Sequence, residues 1–264
     1  MPHTAASGLP KHLSRVIPGF PSVPGQSPVP AATPVRVVNR LIGGLPRKER
    51  DGILQRSEPV NLVFGEILCE PDQPFQHVYF PLSGFISLVA PVGGHQPLEM
   101  GLIGNEGMLG ATLVLGVNMV PLRAVVQGSG TAARMPASQF RRELRDSPAL
   151  LRRLHRYLYV LMAQLSQTAA CTRFHEIDAR LARWLLMTHD RAHADHFHLT
   201  HGFLADMLGV QRSAVTIAAG GLQRRKLIRY TRGEIQVLNR KGLEAASCEC
   251  YDAVVADYAQ LFAS

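Results

Sequence analysis

The sequence predicts an α+β chain: an antiparallel β-roll of jelly-roll type, then a long helix, then a small helical module ending in a two-stranded hairpin. Three observations predict it. Between Val60 and Met135, short runs alternate apolar and polar residues and are punctuated by glycine and proline, as in strands joined by turns. Leu151, Leu154, Leu158, Leu161 and Leu165 then step by threes and fours, the period of one helix face. Finally, two short helical patterns meet at Gly209 and give way to an alternating stretch.

Taken from the start, 264 residues with 46% hydrophobic content allow two domains plus a tail. Residues 1–34 are rich in proline, glycine and serine without an apolar period, so they read as a disordered tail. Lys11 and Arg15 are followed by Pro18, Pro21 and Pro24, not by the roughly 7–15 apolar residues of a signal peptide. No run approaches the ~18 apolar residues of a membrane span, so a soluble protein without a membrane partner is expected. Cys69, Cys171, Cys248 and Cys250 are scattered and form no C-x-x-C pair, and they read as reduced thiols in a cytoplasm, with no metal site. The net charge of +8 suits a nucleic acid, and an anionic membrane surface equally.

The β-roll unit is expected over 35–146. It opens with one amphipathic helix over 35–56, with Val38, Leu41, Ile42 and Leu45 on its apolar side and Pro46 interrupting it. The strands follow. A long helix over 147–172 is announced by Ser147 as cap and Pro148 in the first turn. Its seam, Leu151, Leu154, Leu158, Leu161 and Leu165, calls for a second helix, giving a homodimer, or for burial against its own β domain. The remaining residues, 173–264, begin with a helix from about His175 to His189, with Trp184 in its core.

Thr200 stands where a hydroxyl caps a helix carrying Phe203, Leu204, Met207 and Leu208; Gly209 suits the left-handed residue that ends it. On the next helix Val215, Ala218, Ala219 and Leu222 share one face, while Gln211, Arg212, Ser213, Thr216 and Ile217 point away. Strands around Arg232-Gly233 complete a winged helix-turn-helix. From Val210 to Lys241 the basic residues are Arg212, Arg224, Arg225, Lys226, Arg229, Arg232, Arg240 and Lys241, against Glu234 alone. That excess is a footprint for the phosphates of double-stranded DNA. Gly220-Gly221 weakens this helix by about 1 kcal/mol per glycine, consistent with a close approach by another helix. At the far end Tyr251, Val254, Val255, Tyr258 and Leu261 predict a terminal helix packed on the module, and Cys248 and Cys250 read as ordinary half-buried residues.

Three motifs carry a resemblance to the Crp/Fnr family of bacterial transcription regulators. They are Gly65-Glu66; Glu70-Pro71-Asp72-Gln73-Pro74 with Val78-Tyr79-Phe80-Pro81-Leu82-Ser83-Gly84; and, most specifically, LADMLGVQRSAVTIAAGGLQRRKLI. Asp72 stands where the family has glycine, and aspartate tolerates a left-handed turn. The resemblance implies a cyclic-nucleotide-binding-like sensor, a homodimer on a two-fold symmetric operator, a small-molecule effector, and RNA polymerase as a further partner. It also implies roles. Arg212 takes the position that reads guanine, while Ser213 and Ile217 replace polar readers, with Ile217 suited to a thymine methyl. Gln211 and Thr216 are secondary contacts; Arg224, Arg225, Lys226 and Arg232 are placed for phosphates.

For the effector, Gly104, Glu106, Gly107 and Arg123 resemble the family's phosphate cradle, but Leu122 and Ala124 flank Arg123 and the cradle's serine is missing. Either a cyclic phosphate is held by the arginine and backbone amides, or Glu106 and Arg123 are a structural polar pair; the cofactor stays unidentified. No cysteine precedes Cys69, which argues against an iron–sulfur cluster, and His77 and His95 are lone candidates for a haem. His189, His193, His196, His198 and His201 are dense enough for a metal, yet they fall in or beside a polar loop. With no catalytic constellation, the chain is expected not to be an enzyme. The alternative is a cyclic-nucleotide-binding regulatory module that acts on a protein partner without DNA.

Overall fold

In the computed structural model the described residues are 39–93 and 97–263; the expected tail, Val38 and His95 lie outside them. Helices α1 (Arg40–Gly43) and α2 (Arg47–Gln55) replace the single helix expected over 35–56. Pro46 is the reason: it has no amide hydrogen for the ladder, and it starts α2 as its cap residue. Leu41, Ile42 and Leu45 are buried as the period predicted.

Strands β1 (Glu58–Leu62), β2 (Ile67–Cys69), β3 (His77–Ala90), β4 (Leu98–Ile103) and β5 (Arg123–Pro136) form one antiparallel sheet. The order is β1-β5-β3-β4, with β2 also paired to β5. The two 14-residue strands, β3 and β5, run against each other with register shifts around Pro81, Ser83 and Phe85. A proline inside a central strand is tolerated at such bulges, which also bend the sheet. Gly84 sits there with φ of 71°, and a Cβ on it would meet the Gly128 carbonyl at 2.3 Å. Asp72 takes the left-handed conformation, φ 60°, that the turn before Pro74 requires.

After α3 (Ala137–Asp146), the long helix α4 spans Pro148–Phe174, with Ser147 accepting from the Leu150 amide as the cap. One side of α4 faces the roll: Leu150, Leu154, Tyr157, Leu158 and Val160 join a core with Phe80, Ile86, Met108 and Phe140. Helix α5 (Ile177–Ala192) then turns the chain into the second core, where Leu181, Leu185 and Leu186 pack with Leu204, Val215, Ala218 and Leu222. Phe85, Val89 and Leu102 of the roll belong to that second core as well, so the sheet and the helical module share one apolar seam.

The module continues with β6 (His196–His198), α6 (His201–Leu208), α7 (Arg212–Arg224), β7 (Ile228–Thr231), β8 (Glu234–Val237) and α8 (Arg240–Glu244). The wing has three strands, β6-β8-β7, not the two expected, because His196–His198 pairs with β8. The terminal helix α9 (Cys250–Phe262) corrects a second expectation. It lies along α4, its Val254, Tyr258 and Leu261 entering the roll-side core, whereas Val255 is exposed. Tyr258 accepts from the Gln164 amide of α4 at 3.2 Å. No helix among the described residues is long and apolar enough to cross a membrane.

Candidate nucleic-acid interface

The interface is built from the joint between α6 and α7. Thr200 Oγ1 accepts from the Phe203 amide at 3.2 Å and starts α6; Gly209, at φ 62°, ends it. With Leu204, Met207 and Leu208 buried below, α7 is seated by Val215, Ala218, Ala219 and Leu222. Its other face is open: Gln211, Arg212, Ser213, Thr216 and Ile217 are all exposed, and Ile217 is 71% exposed. An isoleucine that bare has no core to serve, which makes it the clearest apolar contact on offer. Gln211 precedes the helix without capping it by its side chain, and the first turn holds no acid. Unspent amides and the positive helix end therefore sit beside Arg212, an arrangement that favours a phosphate.

Arg224, Arg225, Lys226 and Arg232 are exposed on the far end of α7 and on the wing. Arg232 and Gly233 both take positive φ, 49° and 87°, which gives the tight hairpin its twist. Arg240 leaves the basic set: Asp190 and Glu244 hold it at 2.7 and 2.9 Å.

His201 links the three parts of the module, which its place in a polar loop did not reveal. Its ring stacks on Tyr230 of the wing, centroids 4.1 Å apart, and its Nδ1 lies 2.9 Å from the Thr216 hydroxyl on α7. Thr216 in turn donates to the Arg212 carbonyl at 3.0 Å. Burial, reinforced by the Arg212 charge, lowers the His201 pKa. Because Thr216 gives its proton to the Arg212 carbonyl, its oxygen is left to accept from His201 Nδ1–H. Nothing close explains Gly220 and Gly221: a Cβ on either would meet its first neighbour at 3.5 Å or beyond. Helix α5 lies beside Gly221, with Asp178 3.7 Å from a Cβ built there, but that is ordinary contact and does not require glycine.

The remaining histidines of that region do not converge. His189 lies between Asp195 and Arg240, 2.7 Å from each; His198 faces Glu234 at 2.7 Å, and His193 ends α5 in a left-handed conformation. Three of the four cysteines do converge, against the reading of scattered thiols. Cys171, Cys248 and Cys250 are buried together, because α9 returns along α4 and brings its N-terminal end to the C-terminal end of that helix.

In the roll, the expected cradle comes apart. Arg123 pairs with Glu70 at 2.8 Å, while Glu106 turns to Arg191 of α5, also at 2.8 Å, with both side chains buried. Gly104 donates its amide to Glu106, and Gly107 lies against Tyr157 of α4, where a Cβ would come within 2.4 Å of the phenol oxygen. Each charge thus has a partner of its own, so Glu106 and Arg123 are not a mutual pair. A second polar bridge crosses the same seam: Trp184 Nε1 donates to Glu99 at 2.8 Å. On α4, Leu154 and Leu158 are spent in the chain's own core, and Leu151, Leu161 and Leu165 are half-buried. Tyr159 and Met162 stand out instead, 65% and 63% exposed.

An exposed helix-turn-helix face with a basic wing, joined to an antiparallel roll by a long helix, defines a two-part architecture. Residues 179–246 match the Crp-like helix-turn-helix domain. Solved structures repeat the arrangement. A Crp/Fnr-family transcriptional regulator from Eubacterium rectale is 16% identical, with 78% of this chain and 96% of that one covered at a TM-score of 0.62. The c-di-GMP-responsive global regulator CLP of Xanthomonas campestris is 15% identical, with 73% and 99% covered at 0.60. A Crp/Fnr-family regulator from Thermus thermophilus is 22% identical, with 74% and 98% covered at 0.56. No curated protein sequence matches the chain. The chain carries a Crp-like helix-turn-helix domain on the fold of the Crp/Fnr transcriptional regulators.

Proposed function

We propose that this chain is a sequence-specific DNA-binding transcription regulator that works as a homodimer on a two-fold symmetric operator. The observation that carries this reading is the open first turn of α7, where Arg212 stands beside unspent helix amides and Ile217 is bare. Arg212 reads a guanine through a bidentate contact to O6 and N7, and Ile217 packs on a thymine methyl. Thr216, whose hydroxyl is already engaged by His201 and the Arg212 carbonyl, supports the helix more than it reads. Arg224, Arg225, Lys226 and Arg232 hold phosphates. Gln211 and Ser213 complete the groove-facing set.

The homodimer uses α4 through Tyr159 and Met162, with Leu151, Leu161 and Leu165 at the margin of the contact. Such a pair sets the two recognition helices about one DNA turn, roughly 34–36 Å, apart. Control passes from the roll to the module across the buried Glu106–Arg191 and Glu99–Trp184 bridges, in response to an effector that remains to be identified. The test is selection of bound duplexes from a random pool by the purified chain. A recurrent two-fold symmetric motif is expected; binding to no duplex, together with salt-sensitive binding to an acidic protein surface, would overturn the reading.

A further inference from the structure

Cys171 and His175 lie four residues apart at the C-terminal end of α4, and Cys248 and Cys250 flank the start of α9. Their ligand atoms, three Sγ and one imidazole nitrogen, all lie within 4.8 Å of one another, and the three cysteines are buried. Cys171 Sγ is 3.6 Å from Cys248 Sγ, and Cys250 Sγ is 3.4 Å from His175 Nδ1. A zinc ion held tetrahedrally at about 2.3 Å from sulfur and 2.0–2.1 Å from nitrogen separates its ligands by about 3.8 Å for S–S and about 3.5 Å for S–N. The Cys171–Cys248 and Cys250–His175 pairs already stand near that spacing, and no ligand atom is more than 4.8 Å from another.

Their surroundings point the same way. His175 Nε2 lies 3.2 Å from the Glu249 carboxylate, which leaves Nδ1 as the lone-pair nitrogen facing the thiols. A carboxylate behind an imidazole is the usual orienting partner of a metal-bound histidine. Gln167 Nε2 approaches Cys250 Sγ at 2.9 Å, a donor for a thiolate. Three thiolates with one divalent ion carry a net negative charge. Arg180 and Arg183, both buried, lie close enough to act electrostatically on these thiols, and Arg183 Nε has no hydrogen-bond partner among the described residues. The C-terminal end of α4 adds carbonyl dipoles that favour a cation, and Cys250 sits at a helix start that favours a thiolate.

We infer that Cys171, His175, Cys248 and Cys250 form a structural zinc site of the Cys₃His kind that ties the end of α4 to the start of α9. Soft thiolates with one imidazole in a closed tetrahedral set select zinc over magnesium or calcium, and a fully protein-ligated ion is structural, not catalytic. The site lies where α4 gives way to α5, so the ion fixes the direction in which the DNA module leaves the long helix.

The full chain, dialysed with zinc and then passed through gel filtration, is expected to retain one zinc per chain by elemental mass spectrometry. Replacement by cobalt is expected to give thiolate-to-cobalt charge-transfer absorption and the visible bands of a tetrahedral ion. His175→Ala, at a partly exposed position, is expected to weaken or lose those bands while circular dichroism remains that of a folded chain. Gln167→Ala and Glu249→Gln, which leave all four ligands in place, are expected to weaken metal affinity by about 10–100-fold. Cys69→Ser, in the roll, keeps one ion. A chain that retains no zinc, a cobalt spectrum without thiolate bands, or a Cys171–Cys248 disulfide in the zinc-supplemented protein would each overturn the assignment.

Discussion

The indole N–H of Trp184, on α5, donates to the Glu99 carboxylate of β4 at 2.8 Å, and Ser87 donates to the other carboxylate oxygen at 2.6 Å. A carboxylate from the roll is therefore enclosed at the seam with the DNA module.

Burial raises the Glu99 pKa from 4.5 to about 7; the two hydrogen bonds and the nearby Arg191 and Arg183 oppose that rise. The folded chain thus takes up a proton between pH 4.5 and about 7, and the stability tied to this group is full below that window and is lost as pH rises through it. Glu99→Gln keeps an acceptor for Trp184 and a partner for Ser87 without the charge. Urea denaturation across pH is expected to show the variant gaining on the wild type as pH rises, by on the order of 3 kcal/mol at full shift. Parallel profiles would contradict this. Trp184→Phe leaves one carboxylate oxygen without its donor and is expected to cost about 1–3 kcal/mol.

His201 titrates in the opposite sense. Its pKa is lowered by burial, so the unfolded chain binds the proton first, and stability falls as pH drops below the ordinary histidine value. Protonation also breaks no Nδ1 donor, so the loss is one of desolvated charge beside Arg212 and not of the Thr216 contact. Thermal melts from neutral to mildly acidic pH are expected to show this loss, and His201→Asn is expected to flatten it while lowering stability at neutral pH through the lost stack on Tyr230.

Gly220→Ala is expected to stabilise the chain by about 0.5–1 kcal/mol, since a Cβ there meets only the end of Arg224, at 3.5 Å. A melting temperature that falls instead would mean that the glycine serves the bound state or another packing.

On α4, Tyr159→Asp combined with Met162→Asp is expected to shift the sedimentation of the chain from dimer to monomer without unfolding it, because both side chains are exposed. A dimer that survives the double substitution would place the contact elsewhere.

What the sequence made legible was local. Thr200 and Gly209 bound one short helix, Ser147 and Pro148 start another, and both ends fall where those residues dictate. The face of α7 was equally readable, since its buried and exposed positions follow one helical period. The leucine seam was harder. Helix α4 is covered on two sides, by the roll and by α9, and spacing along one helix says nothing of which neighbour takes which stripe. Pairings between distant segments left no period at all: Arg191 reaches Glu106 across 85 positions, and Cys171 meets Cys248 across 77. Cys171, Cys248 and Cys250, which look scattered along the chain, become one cluster only once α9 has turned back, while Cys69 stays in the roll.

The central claim is that Arg212 reads sequence and the distal basic residues do not. Fluorescence anisotropy with the selected duplex and a scrambled one, across a salt series, tests it for Arg212→Ala and Arg225→Ala. Arg212→Ala is expected to lose about 1–3 kcal/mol on the selected duplex alone, whereas Arg225→Ala weakens both alike and lowers the salt slope by about 1. Equal losses on both duplexes for Arg212→Ala would contradict the account.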